Sequence, residues 1–269
     1  MGSVIVQLYE IQTPEEAELV IREGCDHVGS VLQDSETIEN TILRKTIETV
    51  HEIGKSRNVR SSLIPLFSDA QKISLALDYY APDIVHFCED VISLKNGEWD
   101  LHPDVERLYK VQETIKARFP EIKTMRSIPI PVKGYADTGV TLKLARFFAD
   151  ISDFFLTDTL ILNEKMIEAD KEVTKGEQPE TGFVGITGKT CDWDVARALV
   201  LGTHVPVVLA GGMSPDNVAQ GIEKVKPYGV DSCTLTNYKD EYGKSIRFKK
   251  DPELVRRFIT NAKEMERTL

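Results

Sequence analysis

Residues 206–218 read PVVLAGGMSPDNV, and residues 227–234, one helical stretch further on, read PYGVDSCT. The apolar run from Val205 to Ala210 stops at Gly211 and Gly212, which lack Cβ atoms and let an anion approach backbone N–H groups directly. Ser214 and Pro215 then suit the N-cap and first position of a helix, whose unpaired N–H groups and positive dipole end face the same place. Alone, Gly-Gly-x-Ser-Pro is an ordinary strand, turn and helix start. The second segment shifts the balance, because Gly229, Val230 and Asp231 form another short strand that ends in Ser232, Cys233 and Thr234, with hydroxyl donors where the chain leaves the sheet. Paired phosphate loops after strands 7 and 8 belong to the (β/α)8 TIM barrel, an α/β fold. A phosphorylated small molecule is the expected partner.

Working outward, the 269 residues suit one such barrel as a single domain, 1–269. A hydrophobic share of 41% and a charged share of 28% describe a globular chain with material for a core. The net charge of −10 argues against nucleic acid or an anionic membrane as partner, so any phosphate site is local. The opening MGSVIVQLYE has no basic stretch followed by a long apolar one and reads as a buried strand, which leads to a cytoplasmic expectation. Cys25, Cys88, Cys191 and Cys233 show no CxxC or Cys/His spacing, so neither a disulfide nor a metal is expected. A homodimer is compatible with the sequence but not specified by it.

Short apolar runs alternate with longer amphipathic ones throughout, the pattern of successive βαβ units. Eight strands are predicted: Val4 to Tyr9, His27 to Leu32, Val59 to Leu66, Ile84 to Phe87, Ile122 to Ile128, Phe154 to Leu156, Val205 to Ala210 and Gly229 to Ser232. Thr13, Pro14, Glu15, Glu16 and Gly24 mark the limits of the first helix. Two stretches exceed ordinary barrel connections, Glu89 to Pro103 and Asn163 to Gly182; the second is either a solvated charged excursion or a lid.

The ordered set TPEEAELVIREGCDHVGSVL (13–32), APDIVHF (81–87), DFFLTDT (153–159), GITGKTCDWDVARAL (185–199), PVVLAGGMSPDNV and KPYGVDS (226–232) resembles the phosphoribosylanthranilate isomerase family. The resemblance covers most of the chain and is densest after Asp153. It implies a TIM barrel and a cofactor-free Amadori rearrangement in tryptophan biosynthesis, in which a phosphorylated aminoribose ring opens and the aminoaldose becomes an aminoketose. That chemistry needs an acid for the leaving ring oxygen and a base for the proton beside the imine. Asp158, ending the sixth strand in Leu156-Thr157-Asp158-Thr159, matches the family's acid. To donate near neutral pH it needs a raised pKa, from an apolar pocket or a neighbouring phosphate. Its plain role is a loop acid or helix cap.

At the base the chain departs from the family. The family's cysteine and glycine at the end of the first strand correspond here to Tyr9 and Glu10, and a phenol titrating near pH ~10 replaces a thiolate poorly. Glu10 reaches the pocket only if strand alternation breaks at the rim. His86 and Cys88 share a face of the fourth strand and form a second candidate pair, whose plain roles are a hydrogen-bonded core histidine and a small buried thiol. The family's arginine for the substrate carboxylate after strand two is also missing, since Gln33 to Leu43 contains no Arg or Lys. Arg126 on the fifth strand meets an anion if it points inward, and pairs with nearby acids otherwise.

The phosphate end follows the family more closely. Gly185, Thr187, Gly188 and Lys189 match its glycine-rich loop, Asp192 follows as a helix N-cap, and Gly211 and Gly212 are unchanged. Thr234 stands for a family serine, Ser232 precedes it, and Leu235 replaces a glycine. Two alternatives to the family reaction remain open, another phosphosugar as substrate or a phosphometabolite-binding protein without catalysis.

Overall fold

Thr13 sits in extended backbone and its side chain accepts from the Glu16 N–H, Pro14 opens the helix behind it, and Gly24 closes that helix in the left-handed region at φ 108°. The same logic repeats along the chain: Asn40, Asp69, Asp137, Asp192 and Asp251 each accept N–H groups of a following helix. The computed structural model describes residues 4–33, 35–95, 97–161 and 182–265. Except for Gly182, the expected excursion or lid at Asn163–Gly182 lies outside the described residues.

The helices are α1 (Pro14–Glu23), α2 (Thr41–Gly54), α3 (Ala70–Tyr80), α4 (Val105–Arg118), α5 (Thr138–Phe148), α6 (Trp193–Gly202), α7 (Val218–Val225) and α8 (Pro252–Glu264). Eight parallel strands form the closed ring: β1 (Ile5–Leu8), β2 (His27–Leu32), β3 (Arg60–Pro65), β4 (Ile84–Phe87), β7 (Lys123–Pro131), β8 (Phe154–Leu160), β9 (Val207–Leu209) and β10 (Gly229–Ser232). β1 pairs with both β2 and β10 and closes the barrel. Two antiparallel hairpins decorate it, β5 (Ile92–Lys95) with β6 (Glu98–Leu101), and β11 (Asn237–Lys239) with β12 (Ser245–Lys250).

Alternation divides each strand between two environments. Val6, Leu8, Val28, Phe155, Val207, Leu209 and Val230 face the helices and form the main apolar layer. Tyr9, Ile84, Met125, Phe154, Leu156, Val208 and Ala210 fill the barrel interior. A one-residue slip would exchange the two sets, so burial on both faces holds the register. Removing a fully buried ring such as Phe155 from the outer layer would cost about 3–5 kcal/mol.

All eight expected strands are present; His27–Leu32, Ile84–Phe87 and Gly229–Ser232 have the expected bounds and the other five differ. β7 and β8 extend beyond the predicted ends because they pair continuously from Met125↔Phe154 to Pro131↔Leu160, and this carries Asp158 to the rim. The hairpins were not foreseen. The Asn96-Gly97 dipeptide within Glu89–Pro103, a hairpin signature, was the readable sign of the β5–β6 pair. The helix after the glycine pair also begins later than expected: Ser214 and Pro215 lie in a turn, Asn217 Oδ1 accepts from Ser214 N at 2.8 Å, and α7 starts at Val218. A side-chain-closed turn takes the place of the expected N-cap.

Candidate active site

The C-terminal ends of the barrel strands open into a cavity of about 750 Å³, counting its open mouth. One side is glycine-rich. Gly185, Gly188, Gly211 and Gly212 line it at φ 105°, 64°, 86° and 64°, joined by Thr187 and Thr234. At Gly211 and Gly212 the reason is close approach. A Cβ on Gly211 would overlap the Thr159 hydroxyl, and one on Gly212 would overlap the backbone of Lys189 and Thr190. Backbone therefore forms this wall where side chains would otherwise stand.

Residues 182–188 cross the mouth. Asp90 N–H donates to the Gly182 carbonyl and Val184 N–H to the Cys88 carbonyl, both at 2.9 Å, so the strap is pinned beyond the end of β4. It then passes over Asp158, whose carboxyl fills the space that a Cβ on Gly185 would need. Thr159 N–H donates to Asp158 Oδ1 at 2.9 Å. Burial pushes Asp158 up to about 7, opposed only by that backbone bond. The carboxyl is thus able to hold and release a proton near neutrality.

Tyr9 lies opposite, its ring stacked on the bare backbone of Gly29. Its hydroxyl is hydrogen-bonded to Ser62 Oγ at 2.6 Å and to His86 Nδ1 at 2.8 Å, and His86 Nε2 to Ser127 Oγ at 2.9 Å. Burial drives the phenol well above its ordinary value, and burial together with the Arg126 charge lowers His86 to about 3. Tyr9 and His86 are a neutral, mutually satisfied network that spans the interior, and neither offers a basic site.

The other expected residues divide. Cys88 lines the cavity and is not disulfide-bonded. Glu10 reaches the lining at φ 64°, so the alternation does break at the rim, but its side chain is fully buried and held elsewhere. Arg247 Nε donates to Oε1 at 2.7 Å and Asn237 Nδ2 to Oε2 at 2.9 Å, so Glu10 ties the β11–β12 hairpin to the barrel. Arg126 takes its second expected role. It faces the helices, bonded to Glu89 at 2.6 Å and Gln112 at 2.8 Å between the rings of Phe87 and Phe148. A substrate anion in the cavity is beyond its reach. Ser232 donates to the Met213 carbonyl at 2.8 Å and Lys189 presents its carbonyl to the Thr159 hydroxyl at 2.6 Å; neither is among the residues that line the cavity, Ser232 being buried and Lys189 exposed.

Sequence reasoning missed Asp231, which lines the cavity from β10. Burial pushes it up to about 8; the bond from Gln7 opposes this and the Asp158 charge adds to it. An ionisable residue on the inward face of an apolar strand was the available signal.

These features define a (β/α)8 barrel with a glycine-walled, carboxyl-bearing cavity at its C-terminal mouth. Residues 137–236 match the family described as N-(5'phosphoribosyl)anthranilate (PRA) isomerase. The N-(5'-phosphoribosyl)anthranilate isomerase of Methanosarcina acetivorans is 25% identical over 255 residues, 94% of this chain and 91% of that one. A second such enzyme, from Haloferax volcanii, is 32% identical over 143 residues, covering 53% and 52% of the two chains. The crystal structure of the Thermotoga maritima phosphoribosyl anthranilate isomerase superposes with a TM-score of 0.63 at 20% identity, over 97% of this chain and 99% of that one, and supports the fold. The chain is thus similar to phosphoribosylanthranilate isomerases along most of its length, with the family's own pattern matched over residues 137–236.

Proposed function

We propose that this barrel catalyses the Amadori rearrangement of N-(5'-phosphoribosyl)anthranilate, an aldose–ketose isomerisation in tryptophan biosynthesis that uses no cofactor. The observation that carries this reading is Asp158, a carboxyl raised to about 7 beneath the strap, in a cavity with a glycine-rich backbone wall. The wall suits the substrate phosphate, with Gly211, Gly212, Gly185 and Gly188 admitting it to backbone N–H groups. Asp158 protonates the ring oxygen as the C1–O bond breaks, and the nitrogen lone pair forms the iminium. Loss of the C2 proton then gives the enolamine, which tautomerises to the ketose.

Turnover of freshly generated phosphoribosylanthranilate, followed by loss of anthranilate fluorescence, tests the reading. Wild-type turnover that disappears in Asp158→Asn supports it; a folded wild-type protein without turnover refutes it.

One observation favours a second reading, a related phosphosugar as substrate: among the described residues, no Lys or Arg lines the cavity to take a carboxylate. A thermal-shift screen separates the two, since a ligand at a hundredfold its dissociation constant adds about 2.7 kcal/mol. Stabilisation by another phosphosugar but not by the anthranilate compound selects the second. Stabilisation without turnover of any of them selects a binding protein.

No helix among the described residues is long and apolar enough to cross a membrane. A cytoplasmic setting fits four cysteines that are not disulfide-bonded. A homodimer is the assembly we would test first by size-exclusion chromatography.

A further inference from the structure

We propose that Asp231 is the general base of this barrel, taking the C2 proton that a first-strand cysteine takes elsewhere in the family. The inference rests on the isomerase reading and supplies the group that the reading lacks. Tyr9, His86 and Glu10 are each committed to other partners, which leaves Asp231, Cys88 and Cys233 as cavity-lining candidates, and burial drives the Cys233 thiol well above its ordinary value.

The strand register favours Asp231. Leu156 pairs with Val208, and Val208 with Gly229. Two residues further along each strand stand Asp158, Ala210 and Asp231, level with one another and on the same inward face by alternation. Their strands lie two spacings apart, roughly 10 Å, and the residue between them is alanine. The two carboxyls therefore flank a gap floored by a methyl group, beside Gly211 and Gly212. A phosphosugar anchored at those glycines lays its ring over that gap.

Asp231 is also oriented. His27 Nδ1 lies 3.1 Å from Gln7 Oε1, which can only accept, so the ring donates there and the amide is locked. Gln7 Nε2 then donates to Asp231 Oδ1 at 3.2 Å. Among the described residues this is the single hydrogen bond recorded to the carboxyl, which leaves Oδ2 to the cavity. Two carboxyls in one poorly solvated space resist double ionisation and share one proton; burial raises Asp231 at least as far as Asp158, so the reactive form is the arrangement of the pair in which that shared proton sits on Asp158 and Asp231 is charged.

The proton balance closes. Asp158 gives its proton to the ring oxygen. Asp231 takes the C2 proton, and the C–H electron pair becomes the C1=C2 bond that neutralises the iminium. On tautomerisation C1 gains a proton and the C2 hydroxyl loses one, which returns the pair to its starting state.

Asp231→Asn, measured in the full chain with phosphoribosylanthranilate, is expected to lower kcat at least a hundredfold. KM and the affinity for inorganic phosphate should stay within about threefold of wild type, as expected when only a transition-state interaction is lost. Asp231→Glu keeps the charge but moves it by one methylene, and should lose at least tenfold while melting as wild type does; it carries the test if the Asn variant fails to fold. An Asp231→Asn protein that folds and keeps more than a tenth of kcat overturns the assignment, as does a hundredfold loss that falls on Cys88→Ser instead. No wild-type turnover would remove the isomerase reading itself. Loss in Asp158→Asn but not in Asp231→Asn would remove this inference alone.

Discussion

The carboxyl of Asp158 occupies the space that a side chain on residue 185 would fill. Gly185 also sits at φ 105°, where an L-residue is strained. Gly185→Ala is therefore expected to displace either the strap or the carboxyl, at a cost of about 1–3 kcal/mol. Turnover should fall about tenfold or more, with a smaller change in phosphate affinity. Steady-state kinetics beside a phosphate titration check this, and an unchanged kcat would mean that the strap does not position Asp158.

Burial raises Asp158 to about 7, so the native state binds that proton more tightly than the unfolded chain, where an aspartate titrates near ~3.9. The associated stability is fully present below about pH 4 and is lost as pH rises through about 7, by about 1.4 kcal/mol per pH unit in between. Asp158→Asn stays neutral throughout. It is expected to melt above wild type at pH 8 and close to it at pH 4, while turnover is abolished. Wild-type turnover should decline on the alkaline side of about pH 7 as the acid loses its proton. Equal melting temperatures at pH 8 would contradict this assignment of the cost.

Tyr9→Phe removes the hydroxyl shared by Ser62 and His86 and leaves both partners unsatisfied in the barrel interior. A loss of about 1–3 kcal/mol is expected in urea denaturation. Turnover should remain within a few-fold, because the phenol supplies no base. A loss of several hundredfold in a folded protein would place Tyr9 in the chemistry.

Glu10 shows the opposite titration. Burial alone would raise its carboxyl, but the bond from Arg247, the charge of Lys250 and the bond from Asn237 outweigh it and hold the group below the usual glutamate range. Its contribution is present above the unfolded value near ~4.3 and is lost as pH falls through the folded one. Glu10→Gln should cost about 2 kcal/mol at pH 7, with the difference narrowing in acid. Hydrogen exchange should show the loosening at Asn237–Lys239 and Ser245–Lys250, with α1 unaffected.

Much of this was legible in the chain. Val205 to Ala210 ending at a glycine pair, the repeated strand and helix periods and the Thr13-Pro14 cap required only local chemistry, and the barrel followed from their order. Asp158 and the glycine wall were legible through the order of the family's motifs. The hairpins were missed because a short strand pair carries little periodicity, and Ser214 because a side-chain-closed turn uses the same residue types as an N-cap.

Partner choice could not be read in the same way. Whether Arg126 meets a ligand or Glu89, whether Glu10 faces the cavity or Arg247, and whether Tyr9 is reactive or bonded to Ser62 and His86 all depend on contacts 37 to 237 residues apart along the chain. Local sequence sets backbone geometry and burial pattern, because those depend on neighbours along the chain. A titratable group's environment depends on neighbours in space, and only closure of the barrel brings Asp158, Ala210 and Asp231 level at one mouth.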